Sequence, residues 1–389
     1  MLLKKILPLL LLITSLSANA SDTFFIIAPH CLIKHIPAHT DYQILSTTPS
    51  LAFIKTSNLQ PFIEAKQLRT KKPCGGFMNV TDSAFLKKTN TALSSLKTTP
   101  HYSIRYSAYV NPLLNQIHAE DIWADLTAFS DTHQFKDRYA NSSTGVKAAL
   151  WLQHKILTIA DENHRDDVTV YTVATGRYKQ PSVVVKIGDS NLPGIVIGAH
   201  MDTLQHSFFG SVKPGADDDG SGSMTVMGIA RTLLASGMHF KKPIYIIWYA
   251  AEELGLVGSN YVAHHFANNK IPVEAVLQFD MTGYAYKNDT TLWLISDYVS
   301  PELNTYLATL IHTYVKKPVN MTECGYACSD HASWMEMGIP SAFPFEAAFG
   351  HDNPEIHTSH DTIGLLSLSH ITDFTKLGVA FAVELGEPL

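Results

Sequence analysis

The run Gly194-Ile195-Val196-Ile197-Gly198-Ala199-His200-Met201-Asp202 decides how this chain folds. Its first six residues are apolar or small without a polar interruption, the mark of a strand buried on both faces. It then breaks into a histidine and an aspartate. The same pattern recurs at 244–249 and at 275–279. Around these runs the pattern changes to that of helices: 145–159, with amphipathic spacing, before them, 221–234 and 259–267 between them, and 301–314 and 371–383 after them. Residues 168–173 and 182–187 alternate as antiparallel or edge strands do. Strands alternating with helices predict an α/β fold whose mixed, largely parallel central sheet is flanked by helices.

The chain has 389 residues, which suits one large domain and a smaller one. Hydrophobic residues make up 46% and charged residues 16%, which excludes a disordered chain. A formal charge of -6 argues against a nucleic-acid partner. The only long apolar run is N-terminal: Lys4 and Lys5, an apolar stretch at 6–16, then Ala18-Asn19-Ala20 as a cleavage site. Residues 1–20 therefore read as a signal peptide, and the mature protein as one without a membrane span, secreted to the periplasm or beyond. Export makes the four cysteines disulfide candidates. Three pairings are possible, and local bridges, Cys324–Cys328 and Cys31–Cys74, are preferred.

Residues 23–80 read as short strands, at 24–27, 32–33, 42–45 and 51–54, and 81–105 as a polar linker with Lys87-Lys88 and Thr98-Thr99-Pro100. Residues 21–105 are expected to form a small strand-rich N-terminal pro-region, and 106–389 the main domain, in which every motif quoted below lies. His30, His35 and His39 lack a carboxylate partner and read as surface histidines.

In open α/β sheets ligands bind beyond the carboxyl ends of the strands. After the first buried strand come His200 and Asp202; after the second, Glu252 and Glu253; after the third, Asp280. Gly215-Ala216-Asp217-Asp218-Asp219-Gly220-Ser221-Gly222 lies between the first two. A single acid at a strand end is most often a cap or a solvated loop residue. Several converging on one sheet edge repel unless a cation neutralises them, and His, Asp and Glu without thiolate suit zinc in an open catalytic site.

In order along the chain, His200-Met-Asp, the Asp triplet in its glycine-rich frame, Tyr249-Ala-Ala-Glu-Glu-Leu-Gly, Leu277-Gln-Phe-Asp-Met-Thr, Cys324-Gly-Tyr-Ala-Cys-Ser-Asp-His and Ile356-His357-Thr-Ser-His-Asp-Thr resemble the motifs of the co-catalytic dizinc aminopeptidases of peptidase family M28. The likeness is closest to the secreted bacterial leucyl aminopeptidases and covers about residues 106–389. It implies the zinc-dependent exopeptidase fold and two Zn2+ ions. Asp218 is implied to bridge them, His200 and Asp280 to complete one, Glu253 and His357 the other. Glu252 is implied as the general base, Tyr326 as a transition-state stabiliser, and Asp202 as the partner that fixes the His200 tautomer. Asp217 and Asp219 are left to solvation or helix capping.

The resemblance further implies that Met281, Phe343, Phe345, Phe349 and Ile356 line a pocket for a bulky apolar N-terminal side chain, Leu-like by preference, with a more polar rim at Gly350-His351-Asp352. The expected substrates are peptides with a free N-terminus, and the expected state is a monomer. A dipeptidase, carboxypeptidase or glutaminyl cyclase on the same fold is the alternative, as is an inactive binding module. The six motifs contain no Arg or Lys to hold a C-terminal carboxylate, and no ligand position has been lost.

Overall fold

The computed structural model describes residues 23–67, 76–81, 102–205 and 211–389. The signal segment, Cys74 and most of the expected linker, Lys87-Lys88 included, lie outside the described residues.

The N-terminal unit is an antiparallel sheet of four strands, β1 (Phe24–Pro29), β2 (Tyr42–Thr47), β3 (Leu51–Thr56) and β4 (Met78–Asn79), in the order β2-β3-β1-β4. Two helices accompany it, α1 (His30–Ile33) and α2 (Gln60–Gln67). The strand expected at 32–33 is therefore corrected to helix. Pro29 ends β1, and the chain coils at once through His35 N to Leu32 O and Ile36 N to Ile33 O, burying Leu32 against the sheet.

Three helices lead into the catalytic region: α3 (Ser107–Leu114), α4 (Ala119–Phe129) and α5 (Ser143–Glu162). The Ser142 hydroxyl accepts from Gly145 N and caps α5. The central sheet follows, with β5 (Val168–Val173), β6 (Ser182–Ile187), β7 (Gly194–His200), β8 (Ile244–Tyr249), β9 (Val273–Gln278) and β12 (Ser341–Ala342) in the order β12-β9-β7-β8-β6-β5. The pairs β12–β9, β9–β7 and β7–β8 are parallel, and β8–β6 and β6–β5 are antiparallel. A small side sheet joins β10 (Leu292–Ile295), β11 (Val319–Thr322) and β13 (Pro344–Phe345). The remaining helices are α6 (Gly222–Ala235), α7 (Val257–Asn268), α8 (Pro301–Leu310), α9 (His331–Glu336) and α10 (Leu368–Gly386). No described helix is long and apolar enough to cross a membrane.

The strand period of two sorts successive side chains into two cores. Ile195, Ile197, Ile244, Ile246 and Trp248 enter the larger core under α6 and α10. Val196, Tyr245, Ile247 and Tyr249 enter the second with Phe266 and Trp334. Each such side chain contributes roughly 1.5–3 kcal/mol by leaving water. Gly198 lies under the Tyr249 ring, where a Cβ would stand 2.5 Å from a ring carbon. The chain order reverses between β7 and β9, so a crevice opens where three parallel strands end together.

Candidate active site

The carboxyl ends of β7, β8 and β9 deliver His200, the Glu252-Glu253 turn and Asp280 to that crevice. The Asp triplet enters from the amino end of α6, and His357 from the loop before α10. Asp218 stands between the two histidines: its Oδ1 is 3.1 Å from His200 Nε2 and its Oδ2 is 2.9 Å from His357 Nε2. Asp280 Oδ1 is 3.6 Å from His200 Nε2, and Glu253 Oε2 is 3.1 Å from His357 Nε2. Two groups of donors result, His200 with Asp280 and the neighbouring Asp219, and Asp218 with Glu253 and His357.

Asp217 and Asp219 are both wholly buried, which corrects the reading of them as solvated. Asp219 takes three main-chain N–H groups: Oδ1 accepts from Gly222 at 2.8 Å and Met281 at 3.1 Å, and Oδ2 from His200 at 3.1 Å. Capping is thus one of its tasks, while its oxygens tie α6, β7 and the Asp280 loop together. Asp217 Oδ1 accepts from Gly283 N at 3.1 Å.

Asp202 is buried beside His200. The His200 Nδ1 atom lies 3.2 Å from the Asp202 main-chain oxygen and 3.6 Å from Oδ1. The Asp202 carboxylate accepts from Glu252 N and Glu253 N. Several contributors escape sequence reasoning. Ser329 donates to Asp280 Oδ2 at 2.6 Å. Asp361 receives the N–H groups of Asp217 and Asp218 at 3.0 and 3.1 Å. Lys213 Nζ donates to the carbonyl of His357, whose φ of +62° is left-handed. Buried Arg138 donates to the carbonyls of Phe129, Met201, Pro214 and Gly215. Ser329 and Asp361 stand inside quoted motifs; Lys213 and Arg138 have no local signal.

The electrostatics call for a cation. Burial and the Asp361 charge push Asp217 up to about 8, and burial with Asp218 pushes Asp361 up to about 7. Burial and Asp280 raise Asp219 well above the carboxylate range. Burial opposes ionisation of Asp218 too, but His357 and His200 hold it well below that range. Burial opposes charge on His357, yet Glu253 and Asp218 raise its ring to about 9. His200 Nε2 is buried and makes no hydrogen bond, although carboxylate oxygens surround it. An orphaned imidazole nitrogen facing carboxylates fits a divalent ion that takes nitrogen and oxygen donors, as zinc does.

All five expected pocket residues meet in one cluster. Met281, Phe343 and Phe345 are buried together with Ile295, and Phe349 and Ile356 pack on them. The Cys324–Cys328 disulfide belongs to the same cluster, with a Cα–Cα distance of 6.2 Å. It closes the loop carrying Tyr326, whose ring lies 6.3 Å from that of Phe349. Asp297 anchors this loop, accepting from Cys324 N at 3.0 Å and Gly325 N at 2.7 Å. Cys31 is also disulfide-bonded; its expected partner Cys74 lies outside the described residues. On the rim, His351 stacks on Tyr286 at 4.5 Å.

Residues 182–382 match peptidase family M28. The LapA aminopeptidase of Legionella pneumophila superposes with a TM-score of 0.84 at 42% identity, covering 95% of this chain and 100% of that one. "Leucine aminopeptidase 1" of Fusarium vanettenii is 34% identical over 80% of this chain and 80% of its own length. A zinc aminopeptidase from Bacillus subtilis shares the fold, with a TM-score of 0.57 at 17% identity, over 69% of this chain and 95% of its own. With its acid and histidine donors gathered at one sheet edge and these relatives on either side, the chain belongs to peptidase family M28 and is a zinc-dependent aminopeptidase.

Proposed function

We propose that the protein is an exported aminopeptidase that removes bulky apolar, leucine-like residues from free peptide N-termini, using two zinc ions. The observation that carries this reading is the placement of Asp218 between His200 and His357, one oxygen toward each. His200 and Asp280 would hold one ion, Glu253 and His357 the other, and Asp218 both. Zinc bound there supplies Lewis-acid polarisation of the scissile carbonyl and a water of lowered pKa.

The chain's own groups do the rest. Glu252 lies beside the ligand Glu253 on the same turn, and it takes the proton of the attacking water and returns it to the departing amine. The Tyr326 hydroxyl donates to the oxygen that gains charge at the carbonyl. Acidic groups around the site, Glu252 among them, attract the substrate's ammonium. The cluster of Met281, Phe343, Phe345, Phe349 and Ile356 supports the apolar preference, because a large hydrophobic side chain stabilises binding by the area it buries.

Export rests on the N-terminal 1–20 signal pattern and is supported by the Cys324–Cys328 disulfide, a bond of oxidising compartments. The division into 21–105 and 106–389, and a monomeric state, belong to the same proposal. The test pairs elemental analysis with aminoacyl-anilide substrates. Two zinc ions per chain, and a kcat/KM for leucyl substrates above those for alanyl and lysyl ones, are expected. One zinc per chain at full activity would overturn the dizinc part, and a lysyl preference the pocket assignment.

A further inference from the structure

The turn that carries Glu252 and Glu253 is contorted. Ala251, Gly255 and Leu256 all have positive φ, at +55°, +97° and +60°. Two of these are non-glycine residues, for which left-handed backbone costs energy unless its surroundings hold it. The local bonds from Gly255 N and Leu256 N to Glu252 O close the turn. Asp202 takes the N–H groups of Glu252 and Glu253, and further contacts come from the N-terminal unit. Asn79 N donates to Gly255 O at 2.9 Å, and the two backbones are so close that a Cβ on Gly255 would stand 2.6 Å from Asn79 N. Ala251, Leu254 and Val257 are buried in the same cluster as Ile26, Ile54 and Phe62 of that unit. Leu256 is buried with Met78 and Val80.

A second catalytic loop meets the same surface. Ala327, which follows Tyr326, belongs to the cluster of Met78, Val80 and Leu256. Tyr326 itself lines a small cleft with Ile27, Phe77, Met78 and Tyr298. The β4 edge of the N-terminal sheet therefore meets both loops: the turn of the candidate general base packs on both faces there, Ala251, Leu254 and Val257 on the Ile26–Ile54 side and Leu256 on the Met78 side, and the loop of the candidate transition-state stabiliser packs on the Met78 side. These loops are far apart in sequence, and the helices that follow them, α7 and α9, also meet through the Ser259 and Ser333 hydroxyls at 2.8 Å.

The alignment with LapA leaves only 5% of this chain uncovered, too little to contain the N-terminal sheet, so that solved structure carries a counterpart of it. The Bacillus subtilis enzyme is matched over 95% of its own length yet reaches 69% of this chain.

We propose that the N-terminal unit is a retained brace, a positioning element that holds the Glu252–Glu253 turn and the Tyr326 loop in register, rather than a cover that must be removed for activity. The proposal rests on the roles given above to Glu252 and Tyr326. Loss of the unit would strip Leu254, Leu256 and Val257 of its share of their packing, on a turn with two left-handed non-glycine residues. Displacing catalytic groups by about an ångström costs up to roughly a hundredfold in rate. Met78 is the residue to test, because it packs on both loops and is not part of the reacting machinery.

Two experiments use the full-length chain and a leucyl-anilide substrate. In the first, Met78→Ala is expected to lower kcat about tenfold with KM within about twofold, and Met78→Leu to restore it. The exposed outer-strand variant Ile44→Asp is expected to leave both constants unchanged. In the second, a specific protease site is placed between Thr81 and Tyr102 and cut in the folded protein. The two pieces are expected to co-elute from a sizing column with full kcat. Release of the N-terminal piece with equal or higher kcat overturns the proposal, as does a Met78→Ala protein that melts earlier but turns over at the parent rate. A fully active Glu252→Gln enzyme would instead overturn the role of Glu252, an outcome separate from both.

Discussion

Asp202 Oδ1 accepts the main-chain N–H of Glu252 at 2.9 Å. The residue two places after one candidate zinc ligand thus fixes the backbone of the candidate base fifty positions on, and its other oxygen takes the next N–H, from Glu253, at 3.2 Å. Asp202→Asn keeps the shape but offers one carbonyl oxygen to two N–H donors. Its kcat is expected to fall about 10–100-fold, the range for groups that orient ligands from behind, together with weaker zinc binding. Metal titration and steady-state kinetics on the same samples check both; unchanged kcat would remove Asp202 from the catalytic account.

Glu252→Gln should lose roughly 10²–10⁴-fold in kcat while zinc content stays near wild type, because the amide cannot take a proton. Loss of zinc with the activity would mean that Glu252 and Glu253 exchange roles.

Chelation is expected to abolish activity, and Asp218→Asn to lower zinc content more than Asp217→Asn or Asp219→Asn. Asp218 faces both histidines. The Asp219 oxygens already serve three N–H groups, so Asp219→Asn should act chiefly through stability, by about 1–3 kcal/mol for a buried donor left unmet. Elemental analysis after dialysis, alongside thermal melts, separates the two effects. Equal zinc loss in Asp217→Asn would misplace the bridge.

Tyr326→Phe should lower kcat more than it raises KM, since the hydroxyl is assigned to the transition state. Breaking the Cys324–Cys328 bridge by Cys→Ser substitution should do the same with only a small change in melting temperature, because so short a closed loop restrains the unfolded chain little. A large loss of stability without a kcat effect would make the bridge a structural staple.

Away from the site, Arg165 grips buried Asp167 with two hydrogen bonds at 2.7 and 2.8 Å and lowers its carboxyl below the ordinary 3.8. A carboxyl depressed on folding stabilises above its unfolded pKa, and that gain is lost as pH falls through the folded value. Arg165→Met should therefore be less stable than the parent at pH 7, and the difference should shrink below about pH 4. Denaturant melts at pH 7 and pH 3 read this directly, and an equal difference at both would refute the linkage.

The strand ends were legible because buried parallel strands leave continuous apolar runs, and the residues just past Ala199, Ala251 and Phe279 then stand out. His200, Glu252, Glu253 and Asp280 were legible for the same reason, whereas Asp218 and His357 follow no such run and stood out only through the motifs that resemble the family's. Asp361, Lys213 and Arg138 were not, because each works on main-chain atoms: Asp361 on an N–H 143 positions away, Lys213 on a carbonyl 144 positions away. A backbone atom carries no residue-type signal. Asp217 and Asp219 were misread as solvated because a glycine-rich acidic run looks like a loop, and only the fold reveals the N–H groups converging on it. Leu32 and Ile33 were misread because two β-prone residues after a proline do not show that the chain turns.

The antiparallel strand β6 has a practical use. Its last residue, Ile187, pairs with Ile244 at the start of β8, and Ile195 at the start of β7 pairs with the same residue. The connection at 188–193 therefore lies at the opposite pole of the sheet from His200, and Leu192 there is 50% exposed. A cysteine or tag placed at Leu192 gives an anchor for fixing the enzyme to a solid support with its mouth pointing outward, where incoming peptides meet no obstruction from the matrix.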